Sequence, residues 1–101
     1  MSPKNAEETI SEIDSIIRVL SKAAPHGSLV SQDDIKALQG VDSEDQLKLA
    51  DGLEDMIVLL KDEPDNKRKI LEAHDLVKDQ YGHVKPVREV LDGVKAFFLS
   101  K

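Results

Sequence analysis

The chain contains no cysteine and no tryptophan, and its aromatic residues are one tyrosine and two phenylalanines. Without cysteine there is no disulfide, no thiolate metal ligand and no thiol nucleophile. With so few aromatic side chains, the chain is not expected to form a drug-sized catalytic pocket, because such pockets are lined mainly by apolar and aromatic groups. The sequence therefore points away from thiol chemistry and from an enzyme with a large apolar pocket.

Long apolar runs are also missing. The longest is the five-residue run MIVLL, from Met56 to Leu60, whereas a membrane-spanning helix needs about 20 apolar residues. The N-terminal residues MSPKNAEE have neither the basic start nor the apolar stretch of a secretory signal peptide. We expect a cytoplasmic protein that does not interact with membranes.

Acidic residues outnumber basic ones by 20 to 14, and the acidic charge is concentrated in the middle of the chain. The net charge is −6, with −7 carried by residues 31–63 and +2 by residues 64–101. The one basic run consists of Lys67, Arg68 and Lys69, with acidic residues on both sides. A nucleic-acid binder needs a basic stripe to displace counterions from phosphates, so direct nucleic-acid binding is disfavoured. The run is retained as an alternative contact for a protein partner.

The apolar residues recur with helical spacing along the whole chain. They make up 40% of the residues and are mostly Leu, Ile, Val and Ala, which is typical of helices packed on helices. The segment from Asp42 to Glu63 is both the most apolar and the most acidic, and it predicts a central helix of about six turns. The sequence predicts an all-α fold for residues 1–101 as one domain: an antiparallel bundle of four main helices plus one short helix.

The first helix carries a heptad seam. Ser2 with Pro3, or Asn5 with Glu8, can cap its start, and Ala24-Pro25-His26-Gly27 ends it. A heptad seam has two interpretations, an ordinary bundle helix or a coiled coil that makes the protein a homodimer. The seam consists of Ala6, Ile10, Ile13, Ile17, Leu20 and Ala24.

Capping and helix-breaking residues divide the rest of the chain, after the first helix, into four further helices. Ser31 predicts the start of the short helix and Gly40 its end, in a left-handed conformation. Gly52 inside the central helix predicts a close approach of another helix. Pro64 and Pro86 predict the first turns of the last two helices. The inner stripes of these helices predict the core as Ile13, Ile17, Leu53, Ile57, Leu60, Val77, Val94 and Phe98.

The segment QGVDSEDQL places Asp42 and Ser43 directly before an acidic helix. It resembles the Gly-x-Asp-Ser attachment site of acyl and peptidyl carrier proteins. That resemblance implies phosphopantetheine on Ser43, and partner enzymes that contact Asp51, Glu54 and Asp55. The alternative from the residues alone is that Asp42 or Ser43 is simply an N-cap.

The segment LEAHDLVKDQYG loosely resembles the His-x-x-Lys-Gly helix of histidine phosphotransfer domains. The resemblance implies a four-helix bundle with His74 as phospho-acceptor and Lys78 as the nearest lysine, although Val77 occupies the position of that family's lysine. The alternative is a packed, hydrogen-bonded helix histidine. The acids show no calcium-loop spacing and the three histidines form no paired ligand set, so no metal site is predicted.

Two apolar residues of the central helix point away from its core stripe. Leu47 and Val58 lie about 120° from that stripe and align with Asp51 and Glu54, beside Asp55. Either the short helix around Ile35 and Leu38 covers Leu47, or a partner covers the row. We hypothesise a small acidic, non-enzymatic adaptor or regulatory domain, without a cofactor, that binds a protein with a basic, partly apolar surface through these five residues.

Overall fold

The computed structural model describes residues 5–21 and 31–99. This part of the chain is helical with no strand, and five helices pack together, so the all-α prediction is confirmed. The last helix continues into a π-helical turn, Lys95–Leu99. The helices are α1 (Ala6–Leu20), α2 (Gln32–Gln39), α3 (Ser43–Asp62), α4 (Lys67–Tyr81) and α5 (Lys85–Val94).

Three of the helices begin at residues whose side chains cap the free backbone N–H groups of the first turn. The Asn5 side chain accepts a hydrogen bond from the Glu8 N–H at 2.8 Å, and Ser31 Oγ accepts one from the Asp34 N–H at 3.2 Å. Both caps are as predicted, because a cap depends only on nearby residues. The other proposed start of α1, at Ser2 and Pro3, lies outside the described residues, as do Ala24-Pro25-His26-Gly27.

Two predicted boundaries are wrong in detail. Pro64 lies in the turn between α3 and α4, and α4 begins at Lys67, where the Asn66 side chain accepts from the Lys69 N–H at 3.2 Å. Gly40 ends α2, but with φ −75° it is right-handed rather than left-handed. The Gly40 N–H bonds back to the Lys36 carbonyl at 3.0 Å, as in a continuing helical turn. No backbone conformation special to glycine is therefore needed there.

The helices enclose one cluster of buried apolar side chains. Helix α1 packs against α2, α3 and α5, while α4 packs against α3 and α5. Seven of the eight predicted core residues are buried. The exception is Ile57, which is only partly buried at the edge of the cluster. Ile57 lies on the apolar stripe of α3, as predicted, but the neighbouring helices leave part of its side chain exposed.

More of α1 is buried than its heptad seam. Ile16 and Val19 are buried together with Ile13, Ile17 and Leu20, because three helices surround α1. Ile10 is only partly buried. The central seam residues therefore contribute to the core of their own chain, and Ala24 lies outside the described residues. The homodimer through the first helix stays a prediction.

Helices α3 and α4 run antiparallel and approach closely at Gly52. A Cβ built on Gly52 would lie 3.3 Å from the Val77 Cγ2 methyl, so the predicted close approach is confirmed. Near the other end of this pair, Tyr81 Oη donates a hydrogen bond to Asp45 Oδ1 at 3.3 Å. The start of α3 thus lies beside the end of α4.

Glu12 is a buried acid that the sequence pattern did not single out. Its side chain lies on the inner face of α1 and the residue is only 9% exposed. Burial raises the pKa of the Glu12 carboxyl, and the negative charges of Glu89, Glu8 and Asp34 raise it further. Neutralising this carboxyl should therefore stabilise the fold at neutral pH.

We expect Glu12→Gln to increase the free energy of unfolding at pH 7, and by more than at pH 4. A raised folded-state pKa means that the native chain keeps a proton that the unfolded chain loses. Stability from this group therefore falls as pH rises from the ordinary carboxyl range through the raised pKa. Urea titrations of both proteins at the two pH values measure the difference. Exposed Glu7→Gln on the same helix should give no such gain, and an equal effect of Glu12→Gln at both pH values would contradict the prediction.

Candidate functional site

The five residues singled out on the central helix form an exposed row, here called the acidic row. Leu47 is 67% exposed and Val58 is 56% exposed. Asp51, Glu54 and Asp55 between them are exposed as well. An aliphatic side chain left this far in water forgoes the roughly 1.5–3 kcal/mol that burial supplies. The row therefore combines three carboxylates with two apolar ends that remain more than half exposed among the described residues.

The short helix α2 does not cover Leu47. Instead, α2 packs against α1 and α5, and its Leu38 is buried there. The turn into α3 is fixed by Gln46, whose Nε2 donates to the Val41 carbonyl at 2.6 Å. Of the two explanations for the row, cover by the short helix is thus excluded in this structure.

Sequence reasoning missed two further exposed apolar residues. Leu71 is 47% exposed and Leu76 is 59% exposed, both on α4. Within the described ranges, the large exposed apolar side chains all lie on α3 and α4. The available signal was that both leucines lie off the α4 stripe of Ile70, Val77 and Tyr81. Neighbouring helices α3 and α4 thus carry the apolar surface that a partner could cover.

The basic run separates into residues with different roles. Lys69 Nζ lies 3.4 Å from Glu63 Oε1 at the end of α3, and Arg68 Nε lies 3.7 Å from Glu72 Oε1. These exposed pairs offset the unfavourable position of cations in a first helical turn. Lys67 makes no ion pair with any described residue and lines a groove.

This groove lies between α4 and the C-terminal π-helical turn and has a volume of about 360 Å³. We call it the α4 groove. Its rim is basic and Leu71 supplies an apolar contact, while Asp75 is an acid among the bases. Its lining includes Lys67, Arg68, Leu71, His74, Lys78 and Leu99. Sequence reasoning could not find it, because residues about thirty positions apart form it only when the C-terminal turn packs beside α4.

His74 has the surroundings of a packed helix histidine. The residue is 5% exposed, and its Nδ1 lies 3.0 Å from Asp75 Oδ1. A phospho-acceptor has to be reached by the phosphate donor, so burial weighs against the role that the phosphotransfer resemblance implies. Lys78 is exposed on the same helix.

Ser43 is exposed as the first residue of α3. The N-cap position belongs to Asp42, which makes no side-chain capping bond.

A cleft of about 790 Å³ lies next to this turn and is lined by Asp42, Asp45 and Tyr81. Burial and the Asp45 carboxylate raise the pKa of the Tyr81 hydroxyl, which favours the hydrogen-bonded, neutral phenol.

Neither the acidic row nor the acids around Glu12 form a cation site. Among residues 5–21 and 31–99, no three His, Asp or Glu side chains converge in a way that could hold a metal ion. In the same residues, no helix is long and apolar enough to cross a membrane. Within these residues, the acidic row and the α4 groove are two charged surfaces that also contain exposed apolar side chains.

Comparisons of the chain with protein-family models, with curated proteins and with solved structures gave no match. The function is therefore inferred from the chain's own residues.

Proposed function

We propose that this protein is a small acidic, non-catalytic interaction domain that binds another protein through the acidic row. The observation that carries the proposal is that Leu47 and Val58 are both more than half exposed on the side of α3 that bears Asp51 and Glu54. Single exposed apolar side chains are common on protein surfaces. Here two of them lie at either end of a row of three acids, so the surface offers both charged and apolar contacts to a partner. The role that fits is adaptor or regulatory.

The chemistry of the row specifies the partner. Carboxylates attract a basic surface, speed the encounter and reject acidic proteins, whereas the apolar ends supply affinity once water is expelled. The same negative charge repels phosphate backbones and anionic headgroups, so neither nucleic acid nor a membrane is the proposed partner. The surface to look for is basic and partly apolar.

We further propose that residues 1–101 form one cytoplasmic domain in which α1, α3, α4 and α5 make an antiparallel bundle. The packing of α1 on α3 and α5, and of α4 on the same two helices, supports this arrangement. Helix α2 is then the short extra helix. The short turn between α3 and α4 is typical of a connection between neighbouring antiparallel helices.

Charge reversal tests the interaction. The partner is first captured with the wild-type protein and then purified. Asp51→Lys combined with Glu54→Lys should weaken its binding by about tenfold or more, because the attraction between the acids and a basic partner becomes repulsion. Leu47→Ala with Val58→Ala should weaken it without changing its salt dependence. The matched control reverses two exposed acids on other helices, Asp33→Lys with Asp92→Lys. Calorimetric titration at low and high salt measures affinity, and circular dichroism verifies the helices; full affinity in the Asp51/Glu54 variant would refute the proposal.

One alternative function has an observation in its favour. The exposed hydroxyl of Ser43, which is not the capping residue, keeps the carrier-protein alternative open, and a mass increase of about 340 Da on Ser43 in protein from its own host would establish it. Phosphotransfer through His74 is the weaker alternative, because its ring is buried. The basic run of Lys67, Arg68 and Lys69 is the alternative contact surface if the acidic row does not bind.

A further inference from the structure

The α4 groove concentrates positive charge on an acidic protein. Its cationic lining residues are Lys67, Arg68, Lys78 and Lys95. Among the described lining residues, the one carboxylate is that of Asp75. The groove is built from residues 64–101, which carry +2 in a chain of net charge −6. Because a cleft lined by one sign of charge gathers ligands of the opposite sign, this groove attracts anions that the rest of the protein repels.

Much of this positive charge has no acidic partner within the described chain. Lys67 and Lys78 make no ion pair with a described residue. Arg68 makes one, with its Nε 3.7 Å from Glu72 Oε1, but both side chains are exposed, so this pair contributes little. These cations can therefore bind an anionic ligand without breaking a strong internal contact.

An apolar side chain lies between the cations. Leu71 is 47% exposed. It follows Lys67 by four residues and precedes Lys78 by seven, so all three lie on one flank of α4. Leu99, half-buried on the C-terminal turn, lines the groove as well. A ligand that covers Leu71 therefore needs an apolar group with negative charge on either side of it.

The groove has the dimensions of an extended peptide. From Lys67 to Lys78 it follows α4 for about 16 Å, which is the length of about five extended residues. Its volume of about 360 Å³ over that length leaves a cross-section of about 20 Å², whereas a helix with its side chains is about 10–12 Å wide. A single extended segment fits this space and a helix does not.

We propose that the α4 groove binds an extended acidic peptide segment of a partner protein. One large apolar side chain of that segment packs between Leu71 and Leu99. Acidic residues before and after it pair with Lys67 and Arg68 at one end of the groove and with Lys78 at the other. This is the charge-assisted mode in which basic clusters recognise acidic motifs.

The groove is separate from the acidic row, so this inference goes beyond the proposed function. Val77 faces α3 at Gly52, and Leu71 lies about 120° further round α4, beside Leu99 of the C-terminal turn. The groove thus opens away from α3, and both surfaces can be occupied at once. The protein then connects a basic partner on α3 with an acidic one on α4.

Selection of phage-displayed random peptides on the intact, immobilised protein tests the proposal. The enriched peptides should share acidic residues on both sides of one large apolar residue. A labelled synthetic peptide of the enriched sequence then gives a dissociation constant by fluorescence anisotropy. Lys67→Glu with Lys78→Glu should raise that constant by about tenfold or more. The matched control, Lys48→Glu with Lys61→Glu, makes the same charge change at exposed residues of α3 and should alter it by less than about twofold at about 0.15 M salt.

Three single substitutions check the geometry of the groove. Leu71→Ala should raise the dissociation constant by about fivefold without changing its salt dependence, because only apolar contact is lost. Leu76→Ala is its matched control, since this exposed leucine lies about 140° from Leu71 on the other flank of α4, and it should have no effect. Asp75→Asn should lower the constant, because it removes a like charge from the groove. Damage to the fold would not produce such a gain, and equal effects of the two leucine variants would contradict the proposed position of the apolar residue.

Other occupants of the groove would give different results, and each overturns the inference. Failure to enrich acidic peptides, or equal weakening by the α3 control, shows that the groove is not a peptide site. A single-stranded oligonucleotide that binds more tightly than the peptide, and is lost on Lys67→Glu with Lys78→Glu, assigns the groove to nucleic acid. Self-association in sedimentation equilibrium that the same change abolishes assigns it to a second copy.

This inference and the proposed function fail separately. If a basic partner is lost on reversing Asp51 and Glu54 but no acidic peptide is enriched, the groove inference is wrong and the proposed function stands. If the acidic peptide binds but no basic partner is sensitive to that reversal, the groove inference stands and the proposed function is wrong.

Discussion

Leu53→Ala should lower the free energy of unfolding by about 2–5 kcal/mol, the range measured for buried leucine truncations. Leu53 is fully buried in the middle of α3, which packs against α1 and α4. Truncation removes apolar contacts within the core cluster and leaves a cavity that the surrounding helices fill only in part. Chemical denaturation followed by circular dichroism measures the loss.

Leu47→Ala is the matched control, because it makes the same substitution six residues earlier on the same helix. Leu47 is exposed, so we expect a change within about 0.5 kcal/mol. Comparable losses for the two variants would contradict the assignment of inner and outer faces on α3. The comparison separates loss of packing from any change in helix propensity.

Gly52→Val should destabilise the protein by about 1–3 kcal/mol, the cost of overpacking a close helix contact. A Cβ at this position already meets the Val77 methyl at 3.3 Å, and the two valine methyls need further space. The added side chain must therefore push α4 away from α3, against the helix propensity that valine gains over glycine. Thermal or chemical unfolding measures the net effect.

Two comparisons identify the cause. Gly40→Val makes the same change where an added Cβ meets only ordinary contacts at 3.5 Å, so its cost should be clearly smaller. In a Val77→Ala background the cost of Gly52→Val should also fall, because the obstructing methyl is gone. An unchanged cost in that background would show that the contact with Val77 is not responsible.

Local signals in the sequence were sufficient to predict the helix caps. Asn5 and Ser31 act on N–H groups three residues away, so no distant residue is needed. Pro64 misled because proline suits a first helical turn but suits a connecting turn as well. Asn66, two residues later, makes the hydrogen bond that fixes where α4 starts.

The candidate site was predictable in part. Residues off the apolar stripe identified Leu47 and Val58, since periodicity determines which side chains share a face. Periodicity could not say whether another element covers that face. The α4 groove was not predictable, because Lys67 and Leu99 come together only through packing of the C-terminal turn.

The sequence alone determined that this chain is helical, which side chains form most of its core, and that its middle is acidic, because each follows from spacing and composition. Only the tertiary structure decided which residues remain exposed. Burial depends on every element that packs nearby: α2 lies on α1 and α5 and leaves Leu47 uncovered, and Ile57 is at the edge of the core. The acidic row and the α4 groove are surfaces of this chain because its helices pack in this way and not another.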